Sequence, residues 1–370
     1  MKPKAERKFG KEDTLMVKGV AILMMMLHHC FVHDVTWENN VIVPMFISTK
    51  LLREISTFCK LCVPIFVFLS TYGMTISVKK IREDMQLTGQ EFALYTKKRY
   101  FQLMQGWVIV FLLCQIVCWF ANGRQLDVYK GNAIKKMFNF LLDGFGVADL
   151  FGQNMLIATW WYMSLATVII FIFPLLVFLY KKVGAMVTIV ISIIVPRLFT
   201  IQYEPLEFWL LTMVLGIIFA DKNLLVRIYQ YSFCKNRWLN ATIKNVGYLI
   251  ILVISFFMRE RGNIGYFYEF RHNLLAIVVI CASYQMFSEK KYIRKFLCFA
   301  GKHSMNIFLV HSFVRSTYFE QELYGLQNPT LIVVTLFLSG LVLSILIEAL
   351  KRVIRYEKIV NYCREKWFGV

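Results

Sequence analysis

Residues 15–32 read LMVKGVAILMMMLHHCFV, an apolar run that carries Lys18 near its start and His28 and His29 near its end. About eighteen mostly apolar residues are enough to cross a bilayer as a helix. An ionisable side chain inside such a helix is costly, so it usually marks a site. Lys18 and His29 are eleven residues apart, which is ~16 Å along a helix, or about half of the hydrocarbon thickness. The run therefore predicts a membrane helix with chemistry inside the membrane.

The composition of the whole chain is that of an integral membrane protein. Of its 370 residues, 58% are hydrophobic and 16% aromatic, and the mean hydropathy is +0.55; soluble domains are about half apolar. The net charge is +19, but the basic residues lie between apolar segments, so membrane topology explains them and nucleic acid is not an expected partner. No small-residue cleavage site follows the first apolar run, and we expect no cleavable signal peptide.

Ten apolar segments can be read along the chain as predicted transmembrane helices, of which the fifth and sixth are short. A further segment, 137–150, is apolar but short and contains two Asp, so it predicts a re-entrant or interfacial piece of an outer loop. We interpret residues 1–370 as a single membrane domain with basic tails at 1–14 and 351–370. The predicted spans are 15–36, 58–78, 101–121, 157–180, 183–199, 205–221, 243–258, 271–288, 300–319 and 329–350.

Lysine and arginine are concentrated in every second loop, including 2–11, 79–99 and 351–366, whereas the alternate loops carry more acids. The positive-inside rule places the basic loops in the cytoplasm. The sequence thus predicts an all-α integral membrane protein, a bundle of about ten transmembrane helices with both termini cytoplasmic. The pattern suits a multi-pass protein of a bacterial plasma (inner) membrane.

Three of the six histidines, His28, His29 and His33, fall in the first predicted span. Histidines one turn apart, such as His29 and His33, suit zinc, but no carboxylate or thiolate cluster completes the set, and no metal is expected. Satisfied interfacial polar groups are a second interpretation, preferred for His33. The third makes His29 a general base, because imidazole is the commonest acceptor of a hydroxyl proton.

A second polar cluster opens the ninth predicted span and contains Gly301, Ser304, Asn306 and His311. Small and polar residues let membrane helices approach and hydrogen-bond, so the cluster is typical of helix packing. The functional interpretation is a second polar wall of one cavity.

Two shorter motifs have the same two interpretations. Ser70 and Tyr72 follow Pro64 in the second span, where a kink is either structural or lies beside a cavity. Trp161 belongs to an aromatic group at the outer start of the fourth span. An aromatic belt explains that group, and aromatic faces that stack on the sugar rings of an acceptor explain it equally.

A basic stretch, Lys97, Lys98 and Arg99, precedes the third span. Any cytoplasmic flank has this composition. The functional interpretation is that it grips the phosphates of an anionic donor, since Arg and Lys suit phosphate.

These motifs, in this order, resemble those of the acyltransferase 3 family of polytopic membrane acyltransferases. Lys18 and His29 resemble its Lys/Arg-x10-His motif, and residues 301–311 its Gly-x-x-Ser-x-x-Ile-Tyr-Leu-x-His signature. Three further segments, 63–73, 95–105 and 161–163, resemble its Val-Pro-aromatic-Phe-x-x-Ser-Gly, Arg-x-x-Arg-x-x-Pro and Trp-Phe-Leu motifs. The resemblance covers nearly the whole predicted ten-span domain.

The resemblance implies transfer of an acyl group, usually acetyl from acetyl-CoA as co-substrate, to a hydroxyl of a surface carbohydrate, with no other cofactor. By analogy His29 is the general base, and Lys18 or the group 97–99 meets the donor phosphates. Ser304 and His311 then line the cavity. Three positions depart from the family pattern. Gln102 replaces an Arg, Gln105 a Pro, and Phe308 a Tyr.

Two other classes of function are compatible with the same residues. In a transporter or flippase for a small molecule or lipid-linked sugar, the intramembrane His and Lys relay protons or bind cargo, and inverted repeats are expected. In a non-catalytic scaffold, Lys18 and His29 tolerate substitution. The sequence leaves the acceptor, the acyl chain and the oligomeric state open.

Overall fold

The computed structural model describes residues 8–198, 203–260 and 265–368. Within these ranges every regular element is a helix and no strand occurs, so the predicted all-α class is confirmed. Residues 1–7 of the predicted basic tail, with Lys2, Lys4 and Arg7, lie outside the described residues. The α-helices are α1 (Lys11–Phe31), α2 (Asp34–Asn39), α3 (Thr49–Phe58), α4 (Cys62–Ile81), α5 (Gly89–Ala121), α6 (Arg124–Val128), α7 (Ala133–Gly144), α8 (Trp161–Leu198), α9 (Glu204–Asp221), α10 (Leu224–Gln230), α11 (Arg237–Glu260), α12 (Gly265–Phe287), α13 (Lys291–Ser312), α14 (Glu320–Tyr324), α15 (Pro329–Val353) and α16 (Tyr356–Phe368).

Seven helices of the described ranges are long and apolar enough to cross a membrane, or eight if α9 and α10, bent by 66°, count as one span. The protein is therefore a multi-pass membrane protein. Two features separate the count of eight from the ten predicted spans, and the count of seven also leaves out α9. The fourth and fifth predicted spans fall in one helix, α8, which is broken at Gly184 with φ +81°. The ninth falls in α13, whose first half is rich in lysine and arginine.

The predicted limits of the first span were wrong. The first span was predicted over 15–36, but α1 begins at Lys11 and ends at Phe31, and a separate short helix begins at Asp34. At the other end, the predicted tail 351–370 is largely helical, since α15 continues to Val353 and α16 follows it. The chain turns between α15 and α16 at Arg355, whose φ is +52°.

The contacts divide the chain into two compact units. Unit 1 comprises residues 1–39, 44–86 and 175–304, and unit 2 comprises residues 40–43, 87–174 and 305–370. The core of unit 1 is built on α4 and α9, which meet at Gly216, where an added Cβ would overlap the Thr71 hydroxyl. Asp221 at the end of α9 accepts hydrogen bonds from Lys79 Nζ at 2.9 Å and from the Tyr180 hydroxyl at 2.7 Å. These contacts fix one end of α4, α8 and α9 together.

The core of unit 2 is aromatic. Trp107 of α5 and Trp160 are almost completely buried and meet edge to face, with ring centroids 4.7 Å apart. Each indole N–H donates to a backbone carbonyl, Trp107 to Gly144 at 2.8 Å and Trp160 to Leu309 at 3.0 Å. A buried indole needs such an acceptor, so this pair joins α5, the end of α7 and α13.

Candidate functional site

Lys18 and His29 lie on the same face of α1. Eleven residues at about 100° each bring His29 within about 20° of Lys18 around the helix axis, ~16 Å further along it. Both side chains are half-buried within unit 1. The sequence folds as a helix here because its residues are mostly apolar and include no proline, and Gly10 and Asp13 cap its start through a 2.9 Å hydrogen bond.

His28 and His33 do not share this face. The Nδ1 atom of His28 donates to the Ser56 carbonyl at 2.8 Å, which turns its ring towards α3. The His28 and His29 ring centroids are 5.2 Å apart. His33 lies beyond the end of α1 and is exposed, so the expected pairing of His29 and His33 one helical turn apart was wrong. Among the described residues no group of three or more His, Cys, Asp and Glu side chains could hold a metal ion.

The first part of α13 packs directly on α1, backbone against backbone. A Cβ at Gly301 would overlap the Leu15 carbonyl oxygen, and one at Gly19 would overlap that of Leu297. At the end of the same contact Arg294 bonds Glu12 at 3.0 Å and Asp13 at 3.1 Å. Gly301 in the second polar cluster is therefore a helix-packing residue that holds the helix of Lys18 and His29.

The predicted cavity residues of unit 1 make local contacts. The Ser304 hydroxyl donates to Gly301 O, and the Ser70 hydroxyl to Phe66 O, both at 2.8 Å within their own helices. Tyr72 is buried, with its ring against those of Phe9 and Phe68 at centroid distances of 5.3 and 5.9 Å.

In unit 2, His311 belongs to a row of polar side chains. Its Nδ1 atom donates to the Phe308 carbonyl at 2.7 Å, so its Nε2 atom is the acceptor, and it lies 3.3 Å from the Ser312 hydroxyl. That hydroxyl lies 3.1 Å from the hydroxyl of Thr159. A π-helix, Phe313–Tyr318, follows directly, and π-helical turns frequently mark functional sites. Neither Thr159 nor Ser312 was predicted from the sequence as a site residue.

Trp161 begins α8 two residues after Thr159 and is half-buried. Asn306 has a different setting. Its Nδ2 atom donates to Ser344 Oγ at 3.1 Å and to Glu348 Oε1 at 2.9 Å, and Lys351 bonds the same Glu348 oxygen at 2.7 Å. Asn306 thus ties α13 to α15.

The basic stretch on α5 is partly engaged by aromatic rings. Arg99 donates to the Tyr95 hydroxyl at 2.9 Å and to Gln102 Oε1 at 3.3 Å. Lys98 Nζ lies 6.0 Å from the centre of the Phe368 ring of α16, whereas Lys97 is exposed. All of these residues belong to unit 2.

A buried carboxylate in unit 2 was not foreseen from the sequence. Asp143 on α7 accepts from the Tyr129 hydroxyl at 2.7 Å and from Leu156 N–H at 2.8 Å. Gln115 Nε2 in turn donates to the Tyr129 hydroxyl at 2.7 Å. Burial raises the pKa of Asp143 to about 6, although both hydrogen bonds to it act in the opposite direction. Burial and the nearby Asp143 also raise the pKa of Tyr129.

Comparison with known families gives one match. The family model described as an acyltransferase domain matches residues 16–349 of the chain. The chain belongs to the acyltransferase 3 family. No curated protein and no solved structure matches it at a significant level. Membership implies an acyltransferase, and the activity that the family suggests is acyl transfer at the membrane, to carbohydrates in general.

The family match includes parts of both units and every residue predicted for the site. Unit 1 holds Lys18, His29, Ser70, Tyr72 and Ser304, and unit 2 holds Lys97, Lys98, Arg99, Trp161, Asn306 and His311. Helix α16 lies beyond the last matched residue, 349.

Proposed function

We propose that the protein transfers an acetyl group from acetyl-CoA to a hydroxyl of a cell-surface or lipid-linked carbohydrate, with His29 as the general base. The observation that carries the proposal is the arrangement of α1 in an acyltransferase chain. An apolar helix presents one lysine and one histidine on the same face, ~16 Å apart, and is held by direct backbone contact at Gly19 and Gly301. Placing ionisable side chains inside a membrane costs free energy, so a pair of them on one helix is typical of a functional site.

The chemistry needs one proton acceptor. The acceptor hydroxyl loses its proton to the imidazole of His29 as its oxygen attacks the thioester carbonyl carbon. A C–O bond forms, the C–S bond breaks, and coenzyme A leaves as a thiolate that takes the proton back from the imidazolium. The products are an O-acetyl ester and the free thiol of coenzyme A. Positioned proton transfer of this kind contributes on the order of 10² to 10⁴ in rate.

Lys18 has an electrostatic role in this proposal. It lies three helical turns from His29, near the start of α1, where its ammonium group attracts the phosphates of the donor. In the alternative form of the proposal, the group 97–99 on α5 meets the donor phosphates in place of Lys18. The lysine and the histidine then serve the two substrates of one reaction.

Unit 2 supplies groups suited to the carbohydrate. The half-buried Trp161 offers an aromatic face, and the hydroxyls of Thr159 and Ser312 lie beside His311. Sugars present hydroxyls and apolar ring faces together, so aromatic and hydroxyl side chains in combination match both. We assign the acceptor to these residues.

The membrane arrangement belongs to the same proposal. If α8 crosses twice, on either side of Gly184, and α9 and α13 each cross once, the spans number ten and both termini lie in the cytoplasm, as the loop charges indicate. The donor is made in the cytosol and surface glycans lie outside, so a plasma membrane, of a bacterium by the span and charge pattern, is the setting that uses such a protein.

The proposal is tested on surface glycan by mass spectrometry before and after mild base. Cells with the intact protein are compared with cells carrying His29→Ala at matched membrane abundance. His33→Ala, an exposed histidine beyond α1, is the control. A base-labile 2-carbon acyl mass present with the intact protein and His33→Ala, and absent with His29→Ala, supports the proposal. Equal acylation in all three removes His29 from catalysis and favours transport or a scaffold.

A further inference from the structure

A cavity of about 710 Å³ opens between α5, α15 and α16 of unit 2. This volume lies within the range of about 300–1,000 Å³ that is usual for small-molecule sites. Its wall on α5 is formed by Gln102, Gln105 and Gly106, and the rest comes from residues 348–364. The contacts of Phe101 with Trp367 and Phe368, at ring distances of 5.7 and 5.5 Å, hold α16 against α5. The cavity is thus part of the packed structure.

The lining of the cavity is strongly basic. It contains five cationic side chains and two acidic ones, and one of the acids, Glu348, is paired with Lys351. The remaining cations, which include Arg352, Arg355 and Arg364, are exposed at the mouth. A basic flank after a membrane helix is ordinary, but these cations surround a cavity, and other cations of α16, such as Lys366, do not.

The α5 wall contains the two positions where this chain departs from the basic stretch of its family. Gln102 replaces an arginine, and Gln105 replaces a proline. Gln105 Nε2 is buried, with no hydrogen-bond acceptor among the described residues. A buried donor left without a partner costs free energy. The arginines of the cavity lie beyond the last residue of the family match, 349.

The backbone at Arg355 is also unusual. Its φ of +52° lies in the left-handed region, where glycine is comfortable and an arginine is not. A non-glycine residue held there is often retained for function. Glycine at this position keeps the turn between α15 and α16 and removes only the cationic side chain, so backbone and charge can be tested separately.

We propose that this cavity binds the phosphate-bearing part of the donor, the nucleotide portion of a coenzyme A thioester. The identity of the ligand rests on the proposed function. The cationic lining of the cavity by itself indicates only a ligand that carries phosphates. Arg352, Arg355 and Arg364 contact the phosphates. An anionic lipid head group is the other source of phosphate, and the test includes it.

The test measures the affinity of coenzyme A for the purified full-length protein in detergent by calorimetry. The variants are Arg352→Gln, Arg364→Gln and Arg355→Gly, and the matched control is Lys366→Gln on the same helix. Each lost charge-assisted contact is expected to raise the Kd about tenfold. The control stays at the unmodified value, and pantetheine, which lacks the phosphates, binds all proteins alike. Arg355→Gly is expected to weaken coenzyme A binding without lowering the melting temperature, because glycine relieves the backbone.

Two results overturn the inference. One is a Kd for coenzyme A that is the same in the pocket variants and the control. The other is that the cavity arginines affect only the binding of the protein to nanodiscs of phosphatidylglycerol, and not to nanodiscs of phosphatidylcholine. That result would make the cavity a site for an anionic lipid. If the variants transfer acyl groups with an unchanged KM for acetyl-CoA, the cavity is not the donor site, but the proposed function stands. If coenzyme A binding depends on the cavity arginines but no acyl transfer occurs, the cavity is a coenzyme A site and the proposed function is wrong.

Discussion

Asp143 is a buried carboxyl group whose surroundings make the stability of the protein depend on pH. Its pKa is about 6 in the folded protein and near the ordinary 3.8 in the unfolded chain. The folded state therefore binds the proton more tightly. The stabilisation from this group is complete below about pH 4 and is lost as the pH rises through about 6.

We expect the melting temperature of the unmodified protein, relative to that of Asp143→Asn, to fall by a few degrees between pH 4 and pH 7. Tryptophan fluorescence during heating measures the melting temperatures of the purified unmodified protein and of purified Asp143→Asn. The control is Asp127→Asn, which replaces an exposed aspartate on α6 and keeps Asp143, so its melting temperature should follow pH as that of the unmodified protein does. A constant difference between the unmodified protein and Asp143→Asn over this range would contradict the account.

At the scale of elements, the contact between α1 and α13 positions the proposed general base. Gly301→Ala places a methyl group against the Leu15 carbonyl, which belongs to backbone and cannot rotate away. Overpacking of this kind costs about 1–3 kcal/mol. We expect the variant to lose its monodisperse elution in detergent at a temperature several degrees lower than the unmodified protein.

Gly247 on α11 is the matched control for this prediction. A Cβ there meets nothing within 4 Å, and replacing a mid-helix glycine by alanine is favourable by roughly 0.5–1 kcal/mol. Gly247→Ala should therefore be at least as stable as the unmodified protein. Equal stability of Gly301→Ala and Gly247→Ala would mean that the two helices do not meet as described.

Helix α7 presents an apolar stripe outwards and polar groups inwards. Ile134, Met137, Phe138 and Leu141 are exposed, while Asn139 and Asp143 are buried. The spacing of three and four residues is that of one helix face, and an amphipathic helix of this kind lies at a membrane interface. The sequence prediction of an interfacial or re-entrant segment at 137–150 remains a prediction, and the stripe favours the interfacial form.

A spin label tests the location of this stripe. On Met137→Cys in nanodiscs, the label is expected to collide more often with oxygen, which concentrates in lipid, than with a water-soluble nickel chelate. A label on Lys130→Cys, in the exposed loop before α7, should show the opposite preference, and the unmodified protein gives the background of the native cysteines. The same preference at both positions would place α7 in water.

At the scale of the whole molecule, hydropathy and charge alternation were sufficient for the class and for most helices. Apolar runs such as 329–350 gave helices close to their true length, because a bilayer sets that length. They could not give the end of α1 at Phe31, since the residues that follow are also partly apolar. Hydropathy and charge could not reveal that α16 is helical and lines a cavity, because a basic flank has the same composition whether or not it is helical.

The site was predictable only in part, for a related reason. Lys18 and His29 stand out since charge is rare in an apolar run, and one helix relates them. The partners of other groups are distant in sequence. Glu348 is bound by Asn306, and Ser312 lies beside Thr159. Such pairs depend on how helices pack, which periodicity in a single sequence does not specify.

The most direct test of the central claim, acyl transfer with His29 as base, uses membranes from cells that make the protein. The membranes are incubated with acetyl-CoA carrying a radiolabelled acetyl group, and the base-labile radioactivity in the glycan fraction is measured. The account predicts rapid incorporation with the intact protein and His33→Ala, and a rate at least about a hundredfold lower with His29→Ala at equal abundance. Incorporation by His29→Ala at the rate of the intact protein would contradict it.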